Sequence, residues 1–138
     1  MTVRFNDYSV EVITKLNDIA QASLEEASGE LESQIKRNTA VASGQTKGSW
    51  QHRLKRSGDK HTATIGSPLQ NAIWEEFGTG EYALNGDGRK GGWSYQDERG
   101  EWHFTRGKHP RRPAHTAYTA MKKAIIKFIQ GEFKRGMT

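Results

Sequence analysis

At 138 residues, 33% of them hydrophobic and with a mean hydropathy of -0.87, the chain fits one domain with a modest core and long polar or partner-facing segments. It has no cysteine, which excludes a disulfide scaffold, a thiolate zinc site and a cysteine nucleophile. No run of about 18 apolar residues is present to span a membrane, and the opening MTVRFNDYSVEVITKL lacks a signal-peptide pattern, so synthesis and folding in a cytoplasm is the expectation.

The net charge of +5 is uneven: residues 1–45 hold four Lys/Arg against seven Asp/Glu, and residues 46–138 hold seventeen against nine. Such a dipole has two readings, both open at this point. One is a basic surface for a polyanion. The other is head-to-tail packing of identical subunits, acidic end to basic end, which closes rings.

In chain order, residues 2–5 (TVRF) allow a short leading strand. From Asp7 or Ser9, either an acceptable N-cap, apolar residues recur at Ile13, Leu16, Ala20, Leu24, Ala27, Leu31 and Ile35. Spacings of three and four make one stripe on a long helix ending near Asn38. TAVASGQTKGSW reads as a loop broken by Gly44 and Gly48. SWQHRLKR and HTATIGS read as strands joined by the turn SGDK. NAIWEEFG, after Pro68, is a short helix or a strand. The glycine-rich loop, about 78–92, precedes a β-hairpin over 93–105 with Trp93, Tyr95, Trp102 and Phe104 on its arms and DERG at its tip. Four aromatics on a hairpin suggest its packed face. RGKHPRRP is irregular because of Pro110 and Pro113. A last amphipathic helix follows, with Pro113 in its first turn, Ala117, Met121, Ala124, Ile125, Phe128 and Ile129 buried, and Gly136 as C-cap. The expected fold is α+β over 1–138: a long N-terminal and a C-terminal helix packed on a small, mostly antiparallel sheet.

Several chemistries can be tested on the glycine-rich loop. GTGEYA (78–83) matches a dinucleotide fingerprint, but LNGDGRKGG cannot form the helix that would hold the pyrophosphate, and no βαβ unit surrounds it. NGDGRK departs from a calcium loop at Arg89 and Gln96. Glu75 and Glu76 are adjacent and point in different directions, one expected in solvent and one beside a basic residue. The histidines His52, His61, His103, His109 and His115 show no metal-ligand spacing, and no carboxylate cluster suits a metal-dependent nuclease. No catalytic, cofactor or metal residue is therefore assigned. Basic and aromatic residues alternate over 89–112, which keeps a nucleic-acid-binding module or nuclease as the alternative function. Glycines also let backbones pass closely, and Phe77, Trp93 and Trp102 are costly to leave in water, so an intersubunit arm is the favoured reading.

At ATIGSPLQNAIWEEFGTGEYA the sequence resembles the small head–tail joining or tail-completion proteins of long-tailed bacteriophages, related to the minor tail protein Z group. TAVASGQTKGSW resembles that family's Pro-x-Asp-Thr-Gly-x-Leu-x-x-Ser loop, with Gly44 at its glycine and Ser49 at its serine. The hallmark Glu-Phe-Gly-Thr-Gly is carried by Glu76, Phe77, Gly78, Thr79 and Gly80, and GGWSYQDERGEWHFTRGKHPRRPAHTA resembles the Trp-containing hairpin and the turn into the last helix. The resemblance covers about 35–130. ASG replaces Asp-Thr-Gly, removing any role of that aspartate, and HPRRPA is more basic than the family's turn and lacks its aromatic.

The resemblance implies a structural virion protein of the neck or tail end, not an enzyme. It would form a ring, with six subunits the expected number, between head-closure proteins and the tail-terminator or tail-tube proteins. It implies subunit-contact or architectural roles for Glu76, Phe77, Gly78, Thr79, Gly80, Trp93 and Trp102. Arg106, Lys108, Arg111 and Arg112 are the candidate DNA-facing residues, for nonspecific contact with packaged DNA.

Overall fold

The structure, a computed structural model, describes residues 9–39 and 44–138. The strand expected over 2–5 and the Asp7 cap lie outside those residues. Helix α1 spans Ser9–Asn38, α2 Gly44–Gly48, strand β1 Gln51–Ser57, β2 Lys60–Gly66, α3 Gln70–Phe77, β3 Trp93–Gln96, β4 Trp102–Thr105 and α4 Pro113–Gly136, with a 3-10 turn at Gly80–Tyr82. The fold is α+β as expected. The sheet, however, is two separate antiparallel ribbons, β1–β2 and β3–β4. Strand periodicity identifies strands but not which of them pair. The segment expected to be a plain loop contains the short helix α2.

Helix α1 is about 45 Å long and packs its two sides on different partners. One side meets α4, which runs antiparallel to it. Ile19 approaches Gly136 at one end, and Asn38 Nδ2 donates to the Pro113 carbonyl (3.2 Å) at the other. Gly136 is the last residue of α4 and not its cap; its missing side chain leaves the space that Ile19 fills. The core sits where the helices converge on β1–β2. Ile35, Trp50, Ala72 and Ala117 are buried there, with Leu31, Ile65 and Ala114 packed around them. Thr39 ties this core down: its hydroxyl accepts from Trp50 Nε1 (3.0 Å) and donates to the Ile35 carbonyl (2.7 Å). The apolar stripe of α1 is buried only toward its C-terminal half; Val10, Val12, Ile13 and Leu16 are exposed. On α4, Ala117 is buried, Met121, Ile125, Phe128 and Ile129 are half-buried, and Ala124, expected in the buried face, is exposed.

The other side of α1 holds the β1–β2 ribbon through polar contacts. Ser57 pairs with Lys60, so Gly58 and Asp59 form a two-residue turn, with Gly58 at φ 60°. Asn17 accepts from His61 Nε2 (2.8 Å) and donates to Asp59 (3.2 Å). His52 lies between two carboxylates of α1, its Nε2 2.7 Å from Glu25 and its Nδ1 3.2 Å from Glu32. Carboxylates only accept, so satisfying both requires the doubly protonated ring. The hydrogen bond to Glu25 lifts the His52 pKa above its ordinary value; burial of the ring opposes the rise and Glu32 adds to it. Burial pushes the Glu32 carboxyl up, but hydrogen bonding to His52 and the Lys36 ammonium, 3.4 Å away, outweigh it and hold it low.

A raised histidine pKa stabilises the fold fully below the unfolded value of about 6.5, and the contribution is lost as pH rises through the folded pKa. His52→Gln is therefore expected to cost about 1 kcal/mol at about pH 6, discounted for the exposure of Glu25, and little at about pH 9. Urea melts of both proteins at the two pH values check this; an equal cost at both would remove the charge argument.

Candidate functional site

Helix α3 follows a buckle in which Ser49 Oγ lies 2.6 Å from Ser67 Oγ, which accepts from the Leu69 amide (3.1 Å). With Ala72 facing the core, α3 is otherwise inverted relative to ordinary amphipathic practice. It buries Glu75 and Glu76, at 5% and 7% exposure, and exposes Ile73, Trp74 and Phe77. Neither carboxylate is solvated, contrary to the expectation that one would be. Glu76 reaches the start of α4, where its two oxygens accept from the backbone amides of Ala114 (2.8 Å) and His115 (3.0 Å), with Arg112 Nε 3.7 Å away. Glu75 pairs with Lys108, and its carbonyl accepts from the amides of Arg111 (2.8 Å) and Arg112 (3.1 Å). That turn carries Arg112 into the left-handed region at φ 54°.

The Gly78–Thr79–Gly80 segment is a backbone clasp. Thr79 N donates to the Lys108 carbonyl (2.9 Å), Glu81 N to the Arg106 carbonyl (2.9 Å), and Lys108 N to Thr79 Oγ1 (2.8 Å). Gly78 and Gly80 sit at φ 73° and 63°, and a Cβ on Gly78 would lie 2.7 Å from the Lys108 carbonyl oxygen. These glycines are needed because two backbones touch there. The loop that follows folds back on its own chain. Leu84 N donates to the Phe77 carbonyl (2.8 Å), and Glu81 accepts from Gly91 N (3.2 Å) while pairing with Arg106 (3.3 Å).

The four basic residues singled out in the sequence therefore sit around one turn. Three of them, Arg106, Lys108 and Arg112, face Glu81, Glu75 and Glu76. Arg111 is exposed and its side chain makes no ion pair among the described residues. The hairpin aromatics do not form one packed face. Ser94 pairs with Phe104 and Tyr95 with His103, which puts Trp93 and Tyr95 on one face and Trp102 and Phe104 on the other. Trp93 is half-buried with Arg89 5.7 Å above its ring, whereas Trp102 and Phe104 are 70% and 62% exposed. Sequence reasoning missed Glu81 and Gly107 as parts of the clasp; the run RGK offered only a glycine between two cations as a signal.

Among the described residues, Asp97, Glu101 and His103 bring potential ligand atoms within 4.8 Å of one another at the hairpin tip. Asp97 is already engaged, accepting from the amides of Arg99 and Glu101 (both 2.9 Å) and lying 2.7 Å from His103, whose hydrogen bond holds its pKa low. The arrangement is that of a stapled turn.

A family model described as "Bacteriophage HK97-gp10, putative tail-component" matches residues 3–78, more than half of the chain. The chain belongs to the HK97-gp10-like family. Membership places it among phage tail components and agrees with the resemblance drawn from Glu76 to Gly80. The extent differs: the HK97-gp10-like match starts earlier than residue 35 and ends at Gly78, so the rest of the clasp, β3–β4 and α4 lie beyond it. No curated protein and no solved structure matches the chain. No described helix is long and apolar enough to cross a membrane.

Proposed function

We propose that this HK97-gp10-like chain is a structural virion protein that completes the tail end at the head–tail junction by assembling as a ring, with six copies the expected number, against head-closure and tail-terminator or tail-tube proteins. The observation that carries this reading is the inverted helix α3. Its carboxylates are used internally, so Ile73, Trp74 and Phe77 are left facing water. An open groove of about 360 Å³ lies beside them, lined by Trp50, Ile65, Ala72, Ile73, Phe77 and Ala114 among others. Exposed aromatic and aliphatic side chains of this density mark a partner surface, and Trp102 and Phe104 add a second one. The clasp and fold-back of residues 78–92 hold these side chains in place, so the contact is made by side chains on a set framework and not by a free arm.

Trp102 and Ile73 are more than half exposed, so Trp102→Ser combined with Ile73→Ser is expected to shift Tm by a few degrees at most. The same variant should fail to add to purified tails. Negative-stain imaging of tails with wild-type and variant protein reads both stoichiometry and position. Rings of undiminished occupancy from the variant, or no addition by the wild type, would overturn the proposal.

A further inference from the structure

The positive charge of the second half of the chain is not where the aromatic-basic run suggested. Residues 70–112 hold seven Lys/Arg and seven Asp/Glu, so that region is balanced. The excess lies in residues 46–66, with five Lys/Arg against one acid, and in 113–138, also five against one. In the β1–β2 ribbon the register pairs Arg53 with Thr64 and Lys55 with Thr62. Because His52, Leu54, Ala63 and Ile65 turn toward the body of the protein, Gln51, Arg53, Lys55, Lys60, Thr62 and Thr64 share the outward face. All six are exposed, and Arg53, Lys55 and Lys60 make no ion pair among the described residues.

We infer that the outward face of the β1–β2 ribbon is a sequence-independent contact for the phosphate backbone of duplex DNA. A protein partner would need an apolar or aromatic centre and would disfavour lysine there. This face has no apolar side chain, and its mixture of Arg, Lys, Thr and Gln is the one that binds phosphate oxygens. The lysines of α4 differ, since they share their exposed surface with Tyr118 and Ile126, and Lys122 lies over the Tyr118 ring. The inference rests on the proposed place of the chain around the DNA path, which supplies the duplex.

Three phosphate contacts predict a slope of log K against log salt of about -2.7, or roughly a 40-fold loss of affinity between 50 and 200 mM salt. The test is fluorescence anisotropy of the full chain with a random-sequence duplex. Arg53→Gln/Lys55→Gln/Lys60→Gln should flatten the slope, and Lys123→Gln/Lys127→Gln/Lys134→Gln should leave it unchanged. If the ribbon triple variant loses its thermal transition, the single variant Lys60→Glu is used, and it should lower the slope by about 1. A ribbon variant that keeps the wild-type slope, or a wild type that does not bind at 50 mM salt, overturns the assignment. So does a ribbon variant that changes self-association when the wild type ignores DNA, because the face would then meet an acidic surface of another copy. Tail imaging scores the ring separately: rings without DNA binding overturn only this inference, and ribbon-dependent DNA binding without rings leaves it standing.

Discussion

Gly80→Ala is expected to destabilise the protein by about 3 kcal/mol or more, whereas Gly86→Ala should cost only about 1 kcal/mol. Both glycines have positive φ, 63° and 70°, so the backbone penalty of adding a side chain is nearly the same. Their surroundings differ. A Cβ on Gly86 meets nothing within 4 Å. A Cβ on Gly80 would overlap the Arg106 carbonyl oxygen and lie 2.8 Å from the Gly107 Cα. Gly88 also packs closely on the Gly80 backbone, so the segment is crowded by a second stretch of chain. Relief requires separating residues 79–81 from 106–108, which breaks the paired bonds Thr79 N to Lys108 O and Glu81 N to Arg106 O, both 2.9 Å. Urea melts of the two variants give the comparison, and hydrogen exchange at the Glu81 amide localises it. Equal costs for the two substitutions would mean that the clasp is not a close backbone contact. Phe77 and Ile73 are carried by the helix that runs into this clasp, so under the proposed assembly a loosened clasp should also lower ring occupancy on tails.

The sequence made some of this legible and hid the rest for identifiable reasons. Helix α1 was readable because seven apolar residues keep one stripe from Ile13 to Ile35, and its observed bounds, Ser9–Asn38, agree. What the period cannot say is whether anything covers the stripe, and Ile13 and Leu16 are exposed. The β1–β2 turn was readable from SGDK, since a two-residue Gly-Asp loop fixes the register on both sides. Helix α3 was ambiguous because it has only eight residues and because hydrophobicity marks the wrong face as buried. The acids go inside for a long-range reason: their partners lie at Lys108 and at Ala114–His115, more than thirty residues onward. That one of the two adjacent acids would lie beside a basic residue was readable, but that Glu76 caps the start of α4 was not. Charge was the least legible quantity. Counting Arg106, Lys108 and Arg112 as a basic face ignored Glu81, Glu75 and Glu76, which only folding brings beside them.

Glu76→Ala is expected to cost about 3 kcal/mol, a fall in Tm of roughly 10 °C for a chain of this size. The accounting at the start of α4 shows why. A helix opens with backbone donors that have no intrahelical acceptor. In α4 the first position is Pro113, which has no N–H to satisfy. The amides of Ala114 and His115 donate to the two oxygens of Glu76, and Thr116 N donates to the Arg112 carbonyl (2.9 Å). The cap residue itself, Arg112, supplies no side-chain acceptor. Glu76 thus does from another helix what a serine or aspartate normally does locally, and its negative charge also faces the positive end of the helix. Removing it strands two donors and leaves the partly buried Arg112 guanidinium without its carboxylate. Glu76→Gln keeps an acceptor but loses the charge, so its cost should fall between alanine and wild type. Glu75→Ala should cost less than Glu76→Ala, because Lys108 is half-exposed and one Glu75 oxygen has no partner to lose. Thermal melts of the three variants test the order, and a Glu76→Ala Tm within about 2 °C of wild type would refute the capping role. The site also joins the two parts of the molecule: Glu76 lies inside the segment that the HK97-gp10-like model matches, and the helix it caps lies outside it. The Glu-Phe-Gly-Thr-Gly segment therefore fixes α4 through its first residue and the turn before α4 through its glycines, while its phenylalanine is left facing solvent.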